Sequence, residues 1–462
     1  MRMRITYINA KETMKKMKKN VLRVLIIGFC ASALFGYGAV YKTEAADLSG
    51  ITLKCAFIGG ANYEELYKVI PKFEEQTGAK VEIVFKGDGF QIDKKLKTDF
   101  AAGTVDYDVC WDHSSFFTQY IKAKGIVPLD DYFTAEELKG HIPKILDSGK
   151  KDGKLWIIPR HFDISCLHYR TDIFNDPDVK NKFKAATGKD LKAPETWDEF
   201  KATALAVQKL LPPGVYATEF AGKEEALTGR FYEVLIAEGG QFFDKSWKPA
   251  FNGPAGVKAI TMFKDLYKAG AMPPGMTNFV WEDVAKNWVA GNIVMYTEWY
   301  GWYSYFQDPS ASKAAGKFDI ARQPKGAGGI YGGWAGQHSF SITTASKNKE
   351  AAAELIKFLT SPDQQYLEAK LGFLVTRQSV WDRIIKEAKA SGRELDTKRL
   401  QLAQFQAAND FKTPPLVAEW LPASDILYPT LQAIILGDKD AKKGLNEAAA
   451  MVDKLMKEAG YY

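Results

Sequence analysis

The sequence is poor in the side chains that carry metal and redox chemistry. It has four cysteines and five histidines in 462 residues. The histidines (His113, His141, His161, His168 and His338) show none of the spacings of a zinc site. No G-x-S-x-G elbow and no H-E-x-x-H motif occurs, which removes two signatures of hydrolytic enzymes. Gly328-Gly329, Gly332-Gly333 and Gly336 do not open a helix after a strand, so they are not a dinucleotide fingerprint. No second membrane-length apolar run follows the first 46 residues, and there is no internal repeat. No cofactor, no metal and no enzymatic activity are expected.

Basic charge is also scarce where it would matter. The formal net charge is +6, but nine Lys or Arg and only two acids lie in the first 46 residues. The remainder holds 53 basic and 54 acidic residues, so no nucleic-acid role is expected of it. Residues 1–46 read as a secretory signal. Lys15, Lys16, Lys18 and Lys19 precede an uncharged run from Val24 to Tyr41, and Thr43-Glu44-Ala45-Ala46 offers a cleavage site. The alternative is an uncleaved N-terminal anchor, because the run is nearly long enough to span a bilayer. Either way the body is exported, with the periplasm the expected compartment. Phe29 before Cys30 argues against lipid attachment. Cys55, Cys110 and Cys166 permit one disulfide at most and read best as small buried hydrophobes.

The exported part alternates strand and helix. Ile51 to Ile58 reads as a strand, Tyr63 to Thr77 as a helix, Val81 to Phe85 as a strand, Asp93 to Ala102 as a helix and Tyr107 to Trp111 as a strand. This βαβαβ order implies a largely parallel sheet with helices on both faces, and ligands outside the carboxyl ends of its strands. Further on, Trp156 to Pro159 and Cys166 to Arg170 are strand-like. Trp197 to Leu211 is an amphipathic helix opened by a Thr196/Glu199 capping box. Gly256 to Lys268 and Trp281 to Ala290 are helices, Ile293 to Thr297 and Ser339 to Thr344 strands, and Lys349 to Leu359 a helix stopped by Ser361-Pro362.

Several segments, in order, resemble the family 1 extracellular solute-binding proteins of ABC importers. They are Pro71-Lys-Phe-Glu-Glu-Gln-Thr-Gly78, Asp106-Tyr-Asp108-Val with Asp112, Gly125-Ile-Val-Pro128-Leu-Asp130, and Asp152-Gly-Lys-Leu-Trp156-Ile-Ile-Pro159. Pro194-Glu-Thr-Trp197-Asp-Glu-Phe200, Ala290-Gly-Asn292-Ile-Val-Met295 before Trp299, and Phe358-Leu-Thr-Ser-Pro362 continue the series. Each is loose alone; the series covers nearly all of the exported chain. The resemblance implies an α/β, two-lobed periplasmic-binding-protein fold of type II. Its sheets would be parallel-rich with flanking helices, and three hinge crossings would lie near Pro159–Asp163, Trp334–Phe340 and Gly372–Arg377. Lobe I would comprise residues 47–160 and 338–372, and lobe II residues 161–337 and 373–462. The implied work is capture of a small ligand between the lobes and delivery to the permease subunits of an ABC importer, by a monomer.

A sugar shows hydroxyls at its edge and C–H groups on its faces. Its site needs charged or amide hydrogen-bonding groups and aromatic faces in a concave pocket. Candidates follow from the implied cleft. Asp112 stands at a ligand-contacting position of the family, or alternatively caps a helix. Asp163 lies at the first crossing, where Arg160 offers it an ion pair instead. Glu298, Trp299 and Trp302 occupy the loop that lines the family's cleft, although two Trp three apart also suit a buried helical face. Trp334, flanked by Gly332, Gly333 and Gly336, permits close approach to a ligand. Asn62, Asp88 and Gly89 follow the first two strands, where ordinary turn chemistry is the alternative. Arg377 sits at the third crossing and Trp420 in a segment resembling a cleft wall. Trp156, Trp197, Trp247, Trp281, Trp288 and Trp381 are assigned to structure. Acids with Trp favour a neutral carbohydrate or polyol. They would also suit a cation such as a polyamine, and a secreted carbohydrate-active enzyme is the more distant alternative.

Overall fold

The computed structural model describes residues 46–462; the side chains of Ala61 and Asn62 and the whole of residues 1–45 fall outside the description. The signal segment, Cys30 and the proposed cleavage site at Ala45 therefore lie outside the described residues. Residues 48–462 form one compact unit.

The sheet is built on β1 (Thr52–Ile58), β2 (Lys80–Gly87) and β3 (Val109–His113), which pair in parallel with β1 in the middle. The alternating sequence predicts this arrangement, because helices must cross over between parallel strands. The first of these connections is two helices, Ala61–Tyr67 and Ile70–Thr77, rather than one. Pro71 lies in the first turn of the second helix, where its missing N–H costs nothing. The helix Gly89–Ala102 starts earlier than periodicity predicts, because Asp88 and Gln91 form a reciprocal capping box. After a small hairpin, β4 (Lys150–Lys151) and β5 (Lys154–Leu155), the chain enters β6 (Ile158–Arg170).

β6 joins two separately predicted strands into one of 13 residues. Every residue in it is buried except Asp163 and Tyr169, which are half-buried. Covered on both faces, it lacks the alternation of a half-exposed strand. Its first half pairs antiparallel with β9 (Ala335–Ile342) and with the short β10 (Leu374–Val375). Its second half pairs with β7 (Met295–Trp299) on one side and β8 (Phe318–Ala321) on the other. β9 continues antiparallel onto β3 and closes the order β10-β6-β9-β3-β1-β2. The three segments expected as crossings thus lie side by side in β6, β9 and β10.

Several helices have no counterpart in the sequence reading, Pro177–Thr187 and Glu224–Ala237 among them. Glu224–Ala237 is buried at twelve of its fourteen positions, including Glu225, Arg230 and Glu233. With no solvent face it has no amphipathic period, and its buried charges mimic a surface segment. The Thr196 cap is half of the expected box. Thr196 Oγ1 accepts from Glu199 N–H at 3.1 Å, but the Glu199 carboxylate accepts from Glu195 N–H at 2.9 Å. Cys55, Cys110 and Cys166 are buried free thiols. No helix among the described residues is long and apolar enough to cross a membrane.

Candidate ligand-binding cleft

A cavity of about 520 Å³ opens where the carboxyl ends of β1 and β3 meet the middle of β6 and β9. Asp88, Gly89, Asp163, Trp299, Trp302 and Trp334, all expected at a site, line it. A shallower hollow of about 460 Å³ lies on another face, beside Trp197, Lys201 and Lys258, and contains none of the expected residues. Among the described residues no three His, Cys, Asp or Glu are arranged to hold a metal ion.

One wall is a triangle of tryptophans. Trp281 starts a helix (Trp281–Val289), Trp299 ends β7 and Trp334 immediately precedes β9. Their ring centroids are 5.3, 4.9 and 5.5 Å apart and meet edge-on or tilted. Behind them lies Arg230, its guanidinium 4.7 Å from the Trp299 ring, 5.2 Å from Trp334 and 5.3 Å from Trp281. Each such contact is worth about 2 kcal/mol when desolvated. Arg230 is fully buried and donates to Glu298 Oε1 at 2.7 Å and to Glu233 Oε2 at 3.2 Å. The platform therefore rests on a buried ion triad. Gly229 makes the fit possible, because a Cβ there would sit 1.9 Å from the Trp334 ring.

Asp163, also lining the cavity, accepts from Gly301 N–H at 3.0 Å and from Ile164 N–H at 3.0 Å. Burial pushes its carboxyl up to about 8 despite these bonds. A Cβ at Gly301 would approach Asp163 Oδ2 to 2.4 Å, so this contact requires glycine. Glu225, also in the wall, is raised to about 7 by burial and accepts from Trp420 Nε1 at 3.0 Å. Burial thus shifts both carboxyls towards the neutral form near pH 7.

Four expected residues lie elsewhere. Asp112 is fully buried beneath the wall, accepting from Ser341 Oγ at 3.0 Å and His113 N–H at 2.7 Å. Glu298 does not line the cavity; its carboxylate accepts from Arg230, the cation that also backs the Trp299 ring. Arg377 spends its guanidinium on the carbonyls of Thr360, Lys139 and Glu137, at 2.9–3.2 Å. Trp420 is a fully buried core ring that reaches the cavity only through Glu225. Asn62 belongs to the helix Ala61–Tyr67, whose Tyr63 lines the cavity; its own side chain is outside the description.

The floor was not foreseen. His113, His338 and His161 occupy directly paired positions on β3, β9 and β6. His161 and His338 stack at 4.4 Å, and His113 meets His338 edge-on at 5.1 Å. Burial holds all three imidazoles below their usual range, His113 at about 4. Linear spacing could not reveal this row, since the three lie far apart in sequence and meet only through strand register. Trp281, assigned to structure from sequence, is part of the wall.

An aromatic wall facing a row of hydrogen-bonding groups defines a pocket for capturing a small polar molecule. The family comparison agrees: residues 60–366 match the model of the bacterial extracellular solute-binding protein, and the chain belongs to that family. Its members are non-enzymatic, extracytoplasmic components of ABC transporters that work with membrane permeases. Among curated relatives, a probable ABC transporter-binding protein of Deinococcus radiodurans is 27% identical over 71% of this chain and 75% of its own length. A putative binding protein of Brucella abortus is 25% identical over 91% of this chain and all of its own. Among solved structures, maltose-bound T. maritima MalE3 superposes with a TM-score of 0.75 at 26% identity, covering 88% of this chain and 100% of that one. A solute-binding protein of Agrobacterium radiobacter K84 in complex with ribitol gives 0.74 at 24% identity, with 88% and 100% coverage.

Proposed function

We propose that this protein captures a neutral polyhydroxylated ligand, a sugar, oligosaccharide or polyol, in the aromatic cleft and delivers it to an ABC importer. Capture proceeds by closure of lobe I (residues 47–160 and 338–372) on lobe II (161–337 and 373–462) about β6, β9 and β10. The Trp wall and Asp163 come from the second lobe on this division, and Tyr63, Asp88, Gly89 and Trp111 from the first. A ligand touching both favours the closed state by its contacts to both. The working compartment is the periplasm, and the partners are the importer's permease subunits.

The observation that carries the ligand class is Arg230 behind the tryptophans. An aromatic box for a polyamine must offer its ring faces to the ligand's cation. Here the protein's own guanidinium already lies against the three rings from behind, so a second cation in front of them would be repelled, and two of the acids beside the cleft, Asp163 and Glu225, are raised towards neutrality by burial. The exposed ring surfaces remain suited to the C–H faces of a sugar ring. Maltose and ribitol in the related structures are consistent with this class.

A thermal-shift panel of maltose, ribitol, D-mannitol and spermidine tests it. A ligand at a hundredfold excess over its Kd adds about 2.7 kcal/mol of stability. The expected result is a shift with a sugar or polyol, abolished by Trp299→Ala, with the ligand recovered unchanged. A shift with spermidine alone overturns the ligand class.

A further inference from the structure

The histidine floor has a chemical polarity that the fold imposes. His113 Nδ1 accepts a hydrogen bond from Ser115 N–H at 3.1 Å. In the neutral ring the proton is therefore on Nε2, which makes that atom a donor. Nε2 lies beside Gly336, itself part of the cavity wall.

His161 is set the other way round. Its Nδ1 is 3.5 Å from Glu368 Oε2. Glu368 Oε1 accepts from the buried Arg160 at 2.6 Å. Burial raises the Glu368 carboxyl to about 7 against the pull of Arg160, so at pH 8 it is the anion beside Arg160, and its charge favours the proton on His161 Nδ1 although the two atoms complete no hydrogen bond. This leaves His161 Nε2 with a lone pair. His161 is 2% exposed, lines the cavity, and neither ring nitrogen has a hydrogen-bond partner. A buried polar atom without a partner costs about 1–3 kcal/mol, and a ligand that completes it recovers that cost. The Tyr63 hydroxyl lies 3.5 Å from His338 Nδ1, so one hydroxyl already stands at the edge of this row.

We propose that His113 and His161, flanking His338, read ligand hydroxyl groups as a matched donor and acceptor. The assignment rests on the polyhydroxylated-ligand reading above and adds its specificity element. A hydroxyl both gives and takes a hydrogen bond, so a pair of hydroxyls satisfies both rings. An ammonium group only donates and leaves His113 unanswered. A carboxylate or phosphate only accepts and leaves His161 unanswered. The row thus discriminates by leaving one buried group unpaired with either kind of ion.

Two measurements test this on the purified protein. The first is ¹⁵N NMR of the imidazoles at pH 8, assigned with His113→Asn and His161→Phe. The expected result is the Nε2–H tautomer for His113 and the Nδ1–H tautomer for His161; the reverse pair overturns the proposal, whatever the ligand. The second is calorimetric titration with maltose and D-mannitol. His161→Phe keeps the ring stack on His338 and Phe373 but removes the acceptor. It should weaken binding about tenfold while the unfolding midpoint holds or rises, because two unpartnered nitrogens leave the interior, and His161→Gln should recover part of the loss. An affinity within twofold of the unsubstituted protein overturns the proposal. If the unsubstituted protein binds neither maltose nor D-mannitol while spermidine binds, the ligand class has failed, and the tautomers still decide the polarity of the row.

Discussion

Gly229→Ala should reverse the usual sign of its substitution. In an open helix interior, replacing Gly by Ala gains about 1 kcal/mol. Here the new Cβ would lie 1.9, 2.1 and 2.4 Å from three carbons of the Trp334 ring. Carbon atoms settle at about 3.5–4.0 Å, so the ring must retreat by roughly 1.5 Å. It is 3% exposed and hemmed in by Trp281, Trp299 and Arg230. Overpacking of this kind costs about 1–3 kcal/mol. Set against the helix gain, Gly229→Ala should come out up to about 2 kcal/mol destabilised, and ligand affinity should fall because the Trp wall has moved. In a Trp334→Ala background the same change should become neutral or stabilising, a coupling of about 1–3 kcal/mol. Urea unfolding followed by circular dichroism on the four proteins of this cycle measures it. A stabilised Gly229→Ala single variant, or equal effects in both backgrounds, would refute the packing argument.

Three further outcomes follow from the same cleft. Arg230→Met should destabilise by about 3–5 kcal/mol, because Glu233 and Glu298 are left buried without their cation; a change under 1 kcal/mol in denaturant unfolding would show that the triad is not what supports the wall. Asp163→Asn isolates one titration. The folded carboxyl at about 8 lies above its unfolded value, so its contribution is full at acid pH and is lost as pH rises through 8. The stability of Asp163→Asn relative to the unsubstituted protein should therefore climb with pH between 4 and 8, by at most about 1.4 kcal/mol per unit, and a falling difference curve would contradict the assignment. Trp420→Phe should weaken ligand binding only modestly, through loss of its bond to Glu225, whereas Trp299→Ala should abolish it; equal losses in a titration would place Trp420 in the wall after all.

Local chemistry made much of the fold legible. Helix caps, glycine stops and the switch between helical and strand periods are encoded within a few residues, so β1 to β3 and the helices Gly89–Ala102, Trp197–Gln208, Pro254–Lys268, Trp281–Val289 and Lys349–Leu359 are legible in the sequence. The aromatic loop ending in Trp299 and Trp302, and Trp334 among its glycines, stood out because large rings beside flexible backbone are rarely accidental. Asp88 and Gly89 follow from the rule that ligands gather beyond the carboxyl ends of parallel strands. The helix Glu224–Ala237 stayed hidden because burial on all sides erases periodicity. With it were lost Arg230, which supports the wall, and Glu225 within it.

Other assignments depended on direction. Asp112 and Glu298 sit at the expected places in the chain, yet alternation along β3 turns Asp112 away from the cavity that Trp111 and His113 line, and Glu298 is held by Arg230. Arg377 reaches backbone carbonyls before it reaches the cleft. The sequence by itself determined the first three strands, several capped amphipathic helices, the family resemblance and the rings available for a site, because these rest on short-range pattern. Tertiary structure decided which side chains share a surface. The cross-strand row His113–His338–His161 and the Trp triangle over Arg230 exist only once strand register and helix packing bring distant residues within 4–6 Å, a pairing that no spacing along the chain encodes.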